Sequence, residues 1–224
     1  MRRKSQQADK SGSGKKLERG KVSPAGTLRV LGGSLRGRPI IYRGDLSTRP
    51  MKQRVREAAF GLLGPSVTGS HVVDLFAGTG ALTWEALSRG AASATLIERH
   101  LPTAAAIREN AQALNVVHQI ELVTSDTFFW ARRLPQSLHS AVIARHWLVF
   151  CSPPYDLYVA QREDMVALLT TMVRHAPPRS LLVVEADERF DMNLLPHHVT
   201  WDVRSYLPAV LAVGEIAADG AAER

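Results

Sequence analysis

From residue 71 onward the chain alternates short apolar runs with stretches whose apolar residues recur at helical spacing. Runs of four or five residues at 72–75, 94–98, 120–123, 148–151 and 181–185 read as buried strands. Between them, helices are expected at 81–89, closed by Gly90, at 101–114, closed by Asn115, at 128–134 and at 160–175. Residues 201–206 and 210–216 read as a closing antiparallel pair around Leu207-Pro208. Such alternation is the signature of an α/β fold, a sheet covered by helices on both faces. Upstream, Leu28, Val30 and Leu31 precede Gly32-Gly33 and Arg36-Gly37-Arg38, and Ile40-Ile41-Tyr42 follow, which predicts two short strands and a turn. After Arg49-Pro50, Val55, Ala58, Ala59, Leu62 and Leu63 fall at helical spacing over 51–63, with Arg54 and Arg56 left to face a phosphate or solvent. No internal repeat is visible.

Residues 1–26 lack large apolar residues and read as a disordered tail, because they cannot bury enough surface to offset their ordering entropy. Charge sharpens this division. Residues 1–26 carry eight Lys or Arg against Asp9 and Glu18, residues 27–56 carry eight against Asp45 alone, and the other 168 residues carry 12 against 18. A basic front end on a mildly acidic body points to nucleic acid, whose phosphates such segments neutralise; for the tail alone a solubilising role fits equally. The expected organisation is a basic tail (1–26), a nucleic-acid-binding hairpin and helix (27–64), and an α/β domain (65–218).

The remaining composition mainly excludes. With 224 residues, 45% of them hydrophobic, one substantial core is expected. No apolar run reaches the roughly 20 residues of a membrane span, and the charged amino terminus has no apolar segment behind it, so a cytoplasmic protein without a membrane partner is expected. Cys151 is the single cysteine and the eight histidines show no paired spacing, so no metal is expected. Cys151 reads as a buried strand-end thiol, His197-His198 as a surface turn, Trp84, Trp130 and Trp147 as packing residues, and Glu85 as a local cap or pair.

Two segments carry chemistry. In Val72-Val73-Asp74-Leu75-Phe76-Ala77-Gly78-Thr79-Gly80-Ala81-Leu82 a strand runs into a glycine turn and a helix start. Gly78 and Gly80 let the backbone turn sharply beside a ligand. A dinucleotide fingerprint needs a third glycine at position 83, where Thr83 stands, and no Gly-Lys-Ser or Gly-Lys-Thr follows to make a phosphate loop. Acidic residues close the first two strands: Asp74 suits a ligand ammonium, and Glu98, 18 residues after Gly80, suits two ribose hydroxyls. Asp126, beyond the third strand, could accept from an adenine amino group or cap a helix. Such acceptors fit a nucleoside with a positively charged amino-acid tail.

The second segment, Phe150-Cys151-Ser152-Pro153-Pro154-Tyr155, leaves the fourth strand. Its prolines hold the backbone extended and expose carbonyl oxygens, which with the Ser152 hydroxyl can accept from an exocyclic amino group, while Tyr155 offers a face to an unpaired base. Methyl transfer to an amino nitrogen then depends on proximity and alignment.

With both motifs, the chain resembles the small-subunit ribosomal RNA guanine-N2 methyltransferases of bacteria. The resemblance runs from about Leu28 to Glu185 and is closest in Arg29-Val30, Gly32-Gly33, Arg36-Gly37-Arg38, Arg49-Pro50, Arg54-Val55-Arg56-Glu57, 74–80 and 85–90. It implies a class I, Rossmann-like, seven-stranded sheet, mostly parallel with an antiparallel final strand, and a small amino-terminal hairpin and helix. S-adenosyl-L-methionine is the implied cofactor, held by Asp74, Phe76, Gly78, Gly80, Glu98 and Asp126. Ser152, Pro153, Pro154 and Tyr155 would hold the guanine, and Arg36, Arg38, Arg49, Arg54 and Arg56 would meet the RNA. The implied partner is ribosomal RNA or a small-subunit particle, approached by a monomer. Departures from the family pattern are Ser152 and Gln53 in place of Asp, Gly61 in place of Asn, a longer 139–147 segment, and Tyr206-Leu207-Pro208-Ala209 without a glycine-threonine turn. Methylation of another base's amino group, and a non-catalytic RNA-binding role, stand as alternatives.

Overall fold

The computed structural model describes residues 28–42, 51–134 and 144–217; the expected tail (1–26), Arg49 and most of the 139–147 segment lie outside them. Strands β1 (Leu28–Arg29) and β2 (Pro39–Ile40) form a two-stranded antiparallel hairpin, and helix α1 (Gln53–Leu63) follows. The main sheet contains β3 (His71–Asp74), β4 (Ser93–Ile97), β5 (Ile120–Val123), β6 (Trp147–Cys151), β7 (Leu181–Asp187), β8 (Thr200–Tyr206) and β9 (Ala209–Glu215). Its order is β5-β4-β3-β6-β7-β9-β8. β9 runs antiparallel to both its neighbours, β7 and β8, and the other contacts are parallel. The expected fold class, with its reversed final strand, is the one observed.

The helices are α2 (Ala81–Ser88), α3 (Leu101–Leu114), α4 (Thr127–Ala131), α5 (Asp156–Ala160) and α6 (Arg162–His175). The helix expected at 160–175 is thus preceded by a separate short helix, since Gln161, at φ −134 and ψ 44, leaves the helical region. Neither proline nor glycine marks that break in the sequence. None of the described helices is long and apolar enough to cross a membrane.

Side chains alternate across the sheet with the strand period of two. Val72, Leu148, Phe150 and Val183 face a core completed by Phe60 of α1, Trp84 of α2 and Ile107 of α3. Val73, Val149, Cys151 and Val184 face the opposite core with Trp130 of α4 and Met165, Leu169 and Met172 of α6. The hairpin and α1 share the first core through Val30, Ile40, Val55 and Leu63. Trp84, Trp130 and Trp147 are all packed inside, Cys151 is a buried thiol pushed up to about 12 by burial, and His197-His198 lies in an exposed turn. All three match their expectations.

Helix α2 has no solvent face: all eight of its residues are buried, including Thr83, Glu85 and Ser88. Buried polar groups require partners, and the hairpin supplies them. Glu85 accepts from the backbone N–H groups of Leu31 and Gly32 and pairs with Arg56 Nε at 3.5 Å and Arg89 Nη2 at 3.3 Å. Ser88 accepts at its hydroxyl from Leu35 N (2.8 Å) and at its carbonyl from Ser34 N (2.7 Å). Gly33, at φ +75, lies so close that a β-carbon there would stand 1.9 Å from the Ser88 carbonyl oxygen, so no other residue fits. Glu85 does pair locally, but its principal partners are more than fifty residues upstream in sequence.

Arg56 therefore does not meet RNA. Its side chain is 1% exposed, paired with Glu85 and donating from Nη2 to the Arg29 carbonyl at 3.0 Å. On α1 it belongs to the buried side with Val55, Ala59 and Leu63; the helical spacing of the apolar residues was compatible with it facing outward, but the carboxylate on α2 draws it in. On the far side of α2, Thr83 Oγ1 donates to Asp74 Oδ2 at 2.8 Å, tying the helix to the end of β3. Burial raises the Asp74 carboxyl to about 7, with Glu98 adding to the rise and the Thr83 bond opposing it.

Two predictions follow from α2. Glu85→Ala leaves a buried guanidinium without its counter-charge and is expected to lower the unfolding free energy by about 3–5 kcal/mol in urea titration; a loss below about 1 kcal/mol would show that the pair contributes nothing net. Asp74 is raised on folding, so its stabilising contribution is complete below about pH 4 and is lost as the pH rises through about 7. Asp74→Asn, which does not titrate, is expected to flatten the decline of melting temperature across that window; parallel wild-type and variant curves would refute a buried protonated Asp74.

Candidate active site

The register sets β3, β4 and β6 level: Asp74 stands opposite Leu96 on one side and Phe150 on the other. Their chains consequently leave the sheet at one edge, where the strand order reverses, the place at which open α/β sheets bind ligands. A cleft of about 540 Å³ opens there. Phe76 to Thr79, Glu98, Asp126 and Phe128 line one end, Ser152 to Tyr155 and Glu185 the other, and Met51, Lys52 and Pro208 contribute to its rim.

At the first end, Gly78 turns with φ +52. Its N–H donates to Glu98 Oε2 at 2.9 Å, while His100 N–H donates to Oε1 at 2.7 Å. Two backbone bonds fix the carboxylate, and each oxygen keeps a lone pair for a ligand hydroxyl. Asp126 serves as the cap of α4, accepting from Phe129 N at 3.0 Å through Oδ1. Capping and ligand acceptance are compatible because the side chain remains half-exposed at the cleft and its Oδ2 lies 3.9 Å from Arg99 Nη1, beyond hydrogen-bond distance. Phe76 and Phe128 pair edge-to-face, ring centres 6.1 Å apart, and form an apolar wall. A nucleoside bearing an amino-acid tail fits this set: carboxylate acceptors, an apolar wall for a base, and a glycine turn open to close approach.

Asp74 and Gly80 are placed differently from expectation. Asp74 is 1% exposed, bonded to Thr83, and neither residue lines the cleft. Gly80, at φ +72, lies against the Trp84 ring, where a β-carbon would stand 2.7 Å from Nε1. Both shape the loop from beneath, and the loop residues that line the cleft are Phe76, Ala77, Gly78 and Thr79.

At the second end, the Ser152 hydroxyl donates to Glu185 Oε2 and the Tyr155 hydroxyl donates to Glu185 Oε1 at 2.9 Å. Glu185, on β7, is 4% exposed, and burial raises its carboxyl above the ordinary range against the two hydrogen bonds. With the Ser152 proton committed to Glu185, the Ser152 oxygen lines the cleft as an acceptor. Sequence reasoning placed Glu185 at a strand end and gave it no role. The criterion that selected Asp74 and Glu98, an acidic residue closing an apolar strand, applies equally to Glu185. Beside it Arg189 bridges Asp187 (2.8 Å) and Asp156 (2.9 Å), fixing the turn after Tyr155 to the end of β7. No cluster of metal-ligating side chains occurs among the described residues.

Of the basic residues expected to face RNA, Arg36, Arg38 and Arg54 are exposed, Arg56 is not, and Arg49 lies outside the described residues. Arg38 donates to the Ala113 carbonyl and Arg54 to the Tyr206 carbonyl at 3.4 Å, so both side chains lie along the surface of the catalytic sheet and its helices.

Comparison with known proteins agrees with this architecture. The chain is 34% identical over 133 residues to "Ribosomal RNA small subunit methyltransferase D" of Escherichia coli K12, a match covering 59% of this chain and 63%, just under two thirds, of that protein. The protein of the same name from Haemophilus influenzae is 30% identical over 164 residues, covering 73% of this chain and 80% of its own length. The solved structure of yhhF from Escherichia coli, described as a candidate methyltransferase, superposes with a TM-score of 0.67 at 25% identity over 86% of this chain and 99% of that one. The shared fold is that of the class I methyltransferases. A family model matches residues 28–206, most of the chain, and on that ground the protein belongs to the family described as Conserved hypothetical protein 95.

Proposed function

We propose that this protein transfers a methyl group from S-adenosyl-L-methionine to the exocyclic N2 amino group of a guanine in small-subunit ribosomal RNA. The observation that carries the reading is that one continuous cleft joins an end lined by Gly78, Glu98 and Asp126, whose acceptors suit a nucleoside, to an amino-accepting end, Ser152 to Tyr155 with Glu185. The relatives named above support the ribosomal RNA substrate.

When bound, S-adenosyl-L-methionine supplies a methyl group activated by the positive sulfur that carries it. Glu98, fixed by two backbone donors, would accept from the ribose hydroxyls, Asp126 would accept from the base, and Phe76 and Phe128 would wall the nucleoside. The Ser152 oxygen and the extended backbone before Pro153 would accept from the target amino group and orient its lone pair, and the proton that the nitrogen sheds on methylation would leave along these hydrogen bonds. Tyr155 supports the flipped base by stacking. Arg36, Arg38 and Arg54 meet phosphates flanking it.

The direct test is incubation with labelled S-adenosyl-L-methionine and either unmodified small-subunit ribosomal RNA or particles, followed by nucleoside analysis. Labelled N2-methylguanosine is the expected product; cofactor binding without transfer to either substrate would overturn the reading. Tyr155→Ala is expected to lower transfer roughly 10- to 100-fold, the worth of one stacked base, with cofactor affinity unchanged. An unaltered rate would remove the stacking role. Neutralising Arg36, Arg38 or Arg54 should reduce the salt slope of RNA binding by about one each, whereas Arg56→Ala should act on stability and leave the slope of the folded protein as it is.

A further inference from the structure

We infer that Glu185 selects guanine, its carboxylate accepting in parallel from the N1–H and N2–H of the base. The inference rests on the proposed guanine-N2 activity and adds to it the residue that tells guanine from other bases carrying an amino group.

Three observations carry it. First, the carboxylate lies in the wall of the amino-accepting end of the cleft, 4% exposed, between Ser152 and Tyr155. Second, each of its two oxygens is engaged by a different donor, the Ser152 hydroxyl on Oε2 and the Tyr155 hydroxyl on Oε1, which fixes the orientation of the carboxylate. Each oxygen so engaged retains a lone pair, and the pair of oxygens presents two adjacent acceptors in fixed orientation. Third, the Tyr155 hydroxyl that reaches Glu185 belongs to the ring on which a base can stack, so a stacked base has its edge turned toward the same carboxylate.

The chemistry of the base edges then decides the selection. Guanine presents two adjacent donors, N1–H and N2–H, matching a carboxylate bond for bond, as one carboxylate matches the fork of an arginine. Adenine and cytosine each present one amino donor beside an unprotonated ring nitrogen. That lone pair would face a buried negative oxygen with no proton between them, a contact costing more than the loss of a hydrogen bond. Guanine's N2 carries a second proton, and the Ser152 oxygen, acceptor-only because its own proton goes to Glu185, stands beside the carboxylate to receive it. Glu185 thereby distinguishes the base while Ser152 and Tyr155 hold the carboxylate in place.

The test uses 2-aminopurine, which keeps the N2 amino group and has a bare N1. The methylated nucleotide is first located in unmodified small-subunit ribosomal RNA, and the RNA is rebuilt by ligation with 2-aminopurine riboside at that position. The wild-type protein is expected to favour guanine by roughly 10- to 100-fold in kcat/KM, the worth of one hydrogen bond to a charged group. Glu185→Gln presents one acceptor and one donor, so transfer to guanine should fall by a similar factor while the two substrates converge. Glu185→Asp keeps the charge on a shorter arm and should lose rate but keep the preference. S-adenosyl-L-methionine binding by each variant reports that the cleft is intact. If Glu185→Gln does not fold, the wild-type ratio and Glu185→Asp decide. Equal wild-type rates on both substrates, or a guanine preference that survives in Glu185→Gln, would overturn the role of Glu185 and leave guanine-N2 methylation standing. Transfer by the wild-type protein to an adenine amino group would overturn both.

Discussion

A carboxylate buried in a helix with no solvent face governs how this molecule is put together. Glu85, buried in α2, needs donors, and besides Arg89 four residues on they are backbone N–H groups of the hairpin and the guanidinium of Arg56 on α1. Satisfying one charge thus recruits two elements that precede the sheet in sequence and docks them on α2. A hydrophobic contact of equal area would tolerate sliding; hydrogen bonds to one carboxylate, with Gly33 pressed against Ser88, permit a single register. Because α2 begins immediately after the glycine turn, the same docking steadies the loop that forms the floor of the cleft.

The cleft itself follows from topology. Parallel strands set level at their carboxyl ends deliver the Gly78 loop, Glu98 and the Ser152 segment to one edge on chains leaving rigid strands, and Glu185 lines the same cleft from within β7. Carboxylates recur at these exits because a strand end is where a buried chain first reaches solvent. What differs is how each is anchored: Glu98 by backbone donors, Glu185 by side-chain hydroxyls, Asp74 by a threonine beneath the loop.

Much of this was legible in the sequence. The strands β3, β4, β6, β7 and β9 coincide with largely apolar runs, since strands covered on both faces need apolar side chains, whereas the exposed β8 carries Asp202, Arg204 and Ser205; Asn115 and Gly90 end helices as their left-handed preference requires. The two motifs flank one cleft as expected. Three features were hidden. Arg56 reads as a surface cation until α2 is placed beside it, Glu185 acquires meaning only when β7 lies next to β6, and Asp74 recedes from the cleft because Thr83 satisfies it from below. The first two depend on pairings between residues far apart in the chain, which local periodicity does not encode, and the third on a bond from α2 back to the end of β3 across the glycine turn. The break at Gln161 was missed for the opposite reason, as a local event without a local signal.

The placement of β9 bears on how the protein is born. The last strand of the sheet lies inside it, between β7 and β8, pairing along seven residues with each. Until that segment has left the ribosome, β7 has a bare edge and β8 has nothing to bind, so the wall that carries Glu185 stays unbuttressed however well the earlier strands have assembled. Closure must therefore be a late, long-range event, slow by the measure of contact order, and a nascent chain arrested before residue 209 would offer its β7 edge to any other strand within reach.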